Sequence, residues 1–152
     1  MVTSNISIEN ATIRFRNFSG EERQYNRAGD RNFCVILDEE NAEMLRADGW
    51  PVKYLRPKEG VDDVPTSYMQ VKVKFGSIPP RIMLITNRNR KELNEDNVDI
   101  LDWAELEHVD LIIRPYNWEM NGKTGIKPYL KSGYFKIVED EFAARYEDLP
   151  ME

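Results

Sequence analysis

Residues 68–75, Tyr-Met-Gln-Val-Lys-Val-Lys-Phe, alternate between apolar or aromatic and polar positions. A period of two is the mark of a strand with one face buried. Met69, Val71, Val73 and Phe75 form its core face, and Tyr68, Gln70, Lys72 and Lys74 its outer face. The same alternation predicts strands at Ile6–Ile8 and at 12–18, where Arg14, Arg16 and Phe18 stand opposite Ile13 and Phe15. Arg31–Leu37 reads as a more deeply buried strand. Asp38 is placed to cap a short helix, Glu39–Ala47, which has acids in its first turn and Gly49 beyond its end. Residues 52–55 and 81–86 are further strands, 57–65 is a loop, and 87–106 is a loop with one or two helical turns. Two long strands, 108–118 and 124–138, meet across Asn121-Gly122, a dipeptide suited to the positive φ angles of a hairpin turn. Many strands and little helix predict a mainly β protein. The favoured architecture is an OB-fold-like five-stranded Greek-key barrel with insertions and one or two short helices, with a β-sandwich as the alternative.

Composition narrows the chemistry. The 152 residues are 41% hydrophobic and 32% charged, enough for one domain over residues 1–138 followed by an acidic tail over 139–152. Apolar runs such as 82–85 and 111–113 fall far short of the roughly 20 residues that span a bilayer, so no membrane association is expected. The opening residues lack the basic and apolar regions of a secretory signal. Cys34 is the single cysteine and His108 the single histidine, which excludes an intramolecular disulfide, a thiolate zinc cluster and a histidine-rich metal site. Cys34, set among Phe33, Val35 and Ile36, is expected to be a buried inert thiol, and His108 a surface residue. Trp50 and Trp103, next to helical segments, are expected to plug the core or the barrel ends. Asp38-Glu39-Glu40 and Asp62-Asp63 read as a helix cap and a loop rather than as metal ligands. No catalytic residue, metal or cofactor is expected.

The formal charge of −6 argues at first against nucleic acid. Its distribution changes that picture. Residues 139–152 hold six acids against one base, Arg145, which leaves 20 bases and 21 acids in the body. Arg14, Arg16, Arg23, Arg27 and Arg31 bias the first strands toward positive charge, whereas 92–110 carries eight acids and no base, as a solvated surface would. A near-neutral body can present a basic groove when its charges segregate by face.

The predicted faces point that way. Residues 109–118 place Val109, Leu111 and Ile113 on one side and Ile112, Arg114, Tyr116 and Trp118 on the other. In the returning strand Lys127, Tyr129 and Lys131 share a face. Four strands thus set basic beside aromatic residues at two-residue spacing, and exposed rings repeated so often imply a ligand that covers them. Single-stranded nucleic acid suits such a face, since rings stack bases and ammonium groups follow phosphates. Tyr68, Tyr116, Trp118 and Tyr129 are the expected stacking residues. Arg14, Arg16, Arg31, Lys72, Lys74, Arg114, Lys123, Lys127 and Lys131 are expected to hold the backbone, Lys123 from the hairpin tip.

These residues also carry a likeness. Phe18-Ser19-Gly20, Arg31-Asn32-Phe33, Gly49-Trp50-Pro51-Val52-Lys53, the run 71–75, Pro80-Arg81-Ile82 and the run 113–118 leading into 121–127 resemble the single-stranded DNA-binding proteins of tailed bacteriophages, a divergent OB-fold group. The resemblance spans roughly 13–146. It implies binding of single strands without strong sequence preference in DNA replication and recombination, no cofactor, and action in the host bacterial cytoplasm. Related groups recruit replication proteins through acidic C-terminal tails, and Glu147, Asp148, Leu149 and Met151 are similar in character. The chain departs from the bacterial pattern in lacking a Gly/Gln-rich linker and a terminal Phe. A short helix over 140–146 with a frayed end is the plainer reading of that tail. The alternative function is a phage protein-binding module, an inhibitor or adaptor whose aromatic sheet grips a host protein. A carboxylate-dependent nuclease comes third, because it would need acids clustered on one sheet face.

Overall fold

The computed structural model describes residues 4–55 and 66–138. Their elements run β1 (Ile6–Ile8), β2 (Thr12–Asn17), β3 (Arg31–Leu37), α1 (Glu39–Ala47), β4 (Lys53–Leu55), β5 (Thr66–Val73), β6 (Arg81–Ile85), β7 (Arg90–Leu93), a 3-10 turn at Val98–Asp102, β8 (Leu106–Met120) and β9 (Lys123–Ile137). Hydrogen bonding orders the sheet β1-β8-β9-β5-β3-β2. β1 and β2 are consecutive pieces of one strand, and between them the Ala11 amide donates to the Val109 carbonyl at 2.7 Å. That bond brings the β2 end of the sheet back to β8, closing a barrel. All its pairings are antiparallel except β5 with β9, where Lys72 stands opposite Tyr129. This is the five-stranded Greek-key order of an OB-fold.

Local expectations are met where local chemistry governs. Asp38 Oδ1 accepts from the Asn41 amide at 2.7 Å and caps α1. Met69, Val71 and Val73 are buried on the core face of β5 while Tyr68, Gln70 and Lys72 lie outward. Trp50 is buried in the core cluster. Cys34 is buried too, which pushes its thiol pKa up, with nearby Lys53 pulling weakly the other way. His108 lies at the surface, its Nε2 2.9 Å from Asp110 Oδ1.

Three expectations need correction. In β2, Arg14 stands opposite Cys34 but Asn17 opposite Asn32, so one extra residue is accommodated at a bulge where Phe15 takes φ 53°. The bulge inverts the face that follows. Phe18 is fully buried, stacked on Phe33 at 5.2 Å and edge-on to Phe135 at 5.6 Å, while Phe15 is 59% exposed. Trp103 plugs nothing and is 74% exposed, because Val98, Leu101 and Ala104 at three-residue spacing occupy the inward side of the 3-10 turn. The segment 87–106 holds the expected helical turn, at Val98–Asp102, but it is not otherwise a loop. It supplies β7, which pairs with β6, and β6 in turn pairs parallel with the second half of β9. The predicted loop at 57–65, with Asp62-Asp63, and the acidic tail lie outside the described residues.

Candidate nucleic-acid interface

Register across three strands builds the center of the site. Lys72 on β5 faces Tyr129 on β9, and Tyr129 faces Arg114 on β8. One step along, Lys127 faces Tyr116. Residues opposite one another in a sheet share a face, so the five expected positions 72, 114, 116, 127 and 129 converge on the outside of the barrel. The Arg114 guanidinium lies 4.8 Å from the Tyr129 ring centroid, and Tyr116 meets that ring edge-on at 6.0 Å. These neighbors pack against the Tyr129 ring.

Beside this row lies an open depression of about 680 Å³ lined by Arg27, Arg31, Lys72, Lys74, Lys127 and Tyr129, together with Phe75. Asp30 and Glu95 are its acids, and Asp30 Oδ1 lies 3.4 Å from Lys72 Nζ. Bases outnumber acids here although the chain as a whole is negative. Arg31 leans over Phe75 at 5.4 Å and donates to the Phe18 carbonyl at 2.6 Å, which fixes it at the rim.

The loop between β2 and β3 forms one wall. At its neck the Gly29 amide donates to the Gly20 carbonyl at 2.8 Å, and a Cβ on Gly20 would lie 3.1 Å from the Gly29 backbone. The Asn26 side-chain amide donates to the carbonyls of Glu21, Arg27 and Asp30 at 2.9–3.0 Å, and its oxygen accepts from Asn32 Nδ2 at 2.7 Å. Asn32 in turn accepts from Gln70 Nε2 at 3.3 Å, which ties the loop to the outer face of β5. This scaffold presents Arg23, Arg27 and a 93% exposed Tyr25. Tyr25 escapes a search for two-residue strand periodicity because it sits in a loop. The run Arg23-Gln24-Tyr25-Asn26-Arg27 was nonetheless a readable signal.

The remaining expected residues are spread out. Trp118 faces Gly125 across the β8–β9 hairpin, with its indole so close that a Cβ on Gly125 would meet it at 2.5 Å. The ring lines a separate cleft of about 440 Å³ with Asp48, Gly49 and Ile126. Lys123 is exposed at the hairpin tip opposite Met120. Tyr68 shares the outer face of β5, one turn of pleat beyond Gln70, opposite Lys53 of β4. Lys131 is exposed at a bulge in β9. Arg14 shares a register row with Cys34 and Gln70, three strands from Tyr129. Arg16 is not brought to the depression. Its guanidinium donates to the carbonyls of Leu101 and Ala104 at 3.0 and 2.7 Å and fastens β2 to the 3-10 turn. Glu147, Asp148, Leu149 and Met151 lie outside the described residues. No cluster of three or more metal-ligating side chains occurs among the described residues.

A closed Greek-key barrel with a basic, aromatic outer face on β5, β9 and β8, its third, fifth and fourth barrel strands, beside the first connecting loop defines an OB-fold of the oligonucleotide-binding type. The chain belongs to the family described as "Putative phage ssDNA-binding domain", whose model matches residues 1–152. In fold it is similar to the single-stranded DNA-binding protein from bacteriophage Enc34 solved in complex with ssDNA, with a TM-score of 0.55 at 12% identity over 91% of this chain and 89% of that one. A C-terminal truncation of the Enc34 protein gives a TM-score of 0.54 at 12% identity, covering 90% of this chain and 87% of the other. No curated protein sequence matches the chain.

Proposed function

We propose that this protein binds single-stranded DNA without sequence preference and protects and organizes it during phage replication and recombination. The observation that carries this reading is the register row Lys72–Tyr129–Arg114, continued by Lys127 and Tyr116, on one outer face beside a basic loop. Stacking on Tyr129 and Tyr116 tolerates every base, and lysine and arginine follow the phosphates whatever the sequence. Membership of the phage ssDNA-binding family supports the same ligand, as does the ssDNA held by the Enc34 protein in its complex. The role is one of binding rather than catalysis, and it is exercised in the host cytoplasm, where replicating strands are found. Recruitment of replication or recombination proteins by Glu147, Asp148, Leu149 and Met151 of the acidic tail accompanies it.

The test is fluorescence anisotropy of a labeled oligo-dT of about 30 nucleotides, against its duplex, at two salt concentrations. Salt-sensitive binding that strongly favors the single strand is expected. Absence of binding at low salt, also after deletion of residues 139–152, would overturn the reading. One observation favors an additional protein partner: Trp103, 74% exposed, stands in the acidic segment, where phosphates are repelled. Binding through it would survive high salt.

A further inference from the structure

The basic and aromatic pattern on β9 extends beyond the groove. Ile113 faces Leu130 but Ile112 faces Ser132, so Lys131 is an extra residue bulged out of the ladder. The bulge shifts the phase of the strand. Leu130 and Phe135 are buried in the core, whereas Lys131 is exposed and Tyr134 is 38% exposed. The outward series along β9 therefore reads Lys127, Tyr129, Lys131, Tyr134, alternating base and ring past the point where uninterrupted alternation would turn Tyr134 inward.

At the same point β6 replaces β5 along the same edge of β9. Lys72 faces Tyr129, and three residues on, about 10 Å along the strand, Arg81 faces Ser132. Arg81 is exposed at the start of β6. The next row places Met83 beside Tyr134, with Glu92 and Asp110 at its two ends. Asp110 is already engaged by the Asn10 amide and by His108, both at 2.9 Å. Acids on both sides of Tyr134 disfavor a phosphate there but not a neutral base stacked on the ring.

We propose that Tyr134 and Arg81 form a further nucleotide subsite that carries the bound strand along β9 past the bulge. Tyr134 stacks a base, and Arg81 with Lys131 holds the phosphate between it and the groove. This rests on the single-strand reading of the groove itself.

The test measures affinity of the full chain for oligo-dT in steps from about 4 to 16 nucleotides at low salt. Wild-type affinity is expected to climb with length as the subsite fills. Tyr134→Ala should flatten the last part of that climb, lowering affinity for the longest oligomers roughly tenfold, and Tyr134→Phe should restore it. Arg81→Gln should lower the long-oligomer affinity and its salt dependence. Variants that follow the wild-type curve at every length would overturn the subsite while leaving the groove intact. Equal losses at the shortest and longest oligomers would also overturn it, because Tyr134 would then act through the groove or the fold. A wild-type chain that binds no oligomer would remove both readings.

Discussion

Tyr129 is the residue on which most of the proposed interface turns. Arg114 covers one face of its ring and Tyr116 abuts it, so the side chain loses little freedom when a base arrives. Tyr129→Ala should weaken binding of oligo-dT and oligo-dA alike by about 1–3 kcal/mol, the usual worth of one stacked base. A loss confined to one base composition in an anisotropy titration would contradict generic stacking. Asp30 shares the charge of Lys72 and adds a negative group to the depression. Asp30→Asn should therefore tighten binding at low salt, with the gain vanishing as salt rises. Arg16 shows the limit of reading residues from spacing. Its place beside Arg14 suggested a phosphate contact, but its carbonyl acceptors lie 85 and 88 residues away. Arg16→Ala should cost about 1–3 kcal/mol of stability in urea unfolding and leave oligo-dT affinity close to wild type.

Elements are set by their bulges as much as by their alternation. β5 has none over its paired length, and its two faces are legible directly from residues 68–73. β2 and β9 each contain one, and beyond it the simple parity fails. The two phenylalanines of the first strand region give a clear check. Phe18→Ala should destabilize the protein by about 3–5 kcal/mol through a cavity among Phe33 and Phe135. Phe15→Ala should change stability by about 0.5 kcal/mol or less. Uninterrupted alternation would predict the reverse order of melting temperatures. At the hairpin, Gly125→Ala should displace the Trp118 indole, read as a shift in tryptophan emission, because the ring occupies the space a Cβ needs.

For the whole molecule, the decisive property is segregation of charge. A chain of net charge −6 carries a basic depression, so affinity should fall steeply with salt. Lys127→Gln should reduce the slope of log K against log salt by about 0.7, the single-strand value for one phosphate contact. An unchanged slope would place Lys127 off the phosphate path. By itself the sequence determined the strands other than β7, the cap at Asp38, the hairpin at Asn121-Gly122, the core face of β5 and the pairing of base with ring along single strands. Those follow from periodicity and turn chemistry, which act over a few neighboring residues. Only the tertiary structure decided that Lys72, Arg114 and Tyr129 meet, since that depends on a parallel pairing between β5 and β9 some 57 residues apart in the chain. It alone also turned Phe18 inward and Tyr134 outward and left Trp103 at the surface. A bulge, or the inward side of a 3-10 turn, is chosen by the closure of the barrel around one shared core, and no local pattern carries that choice.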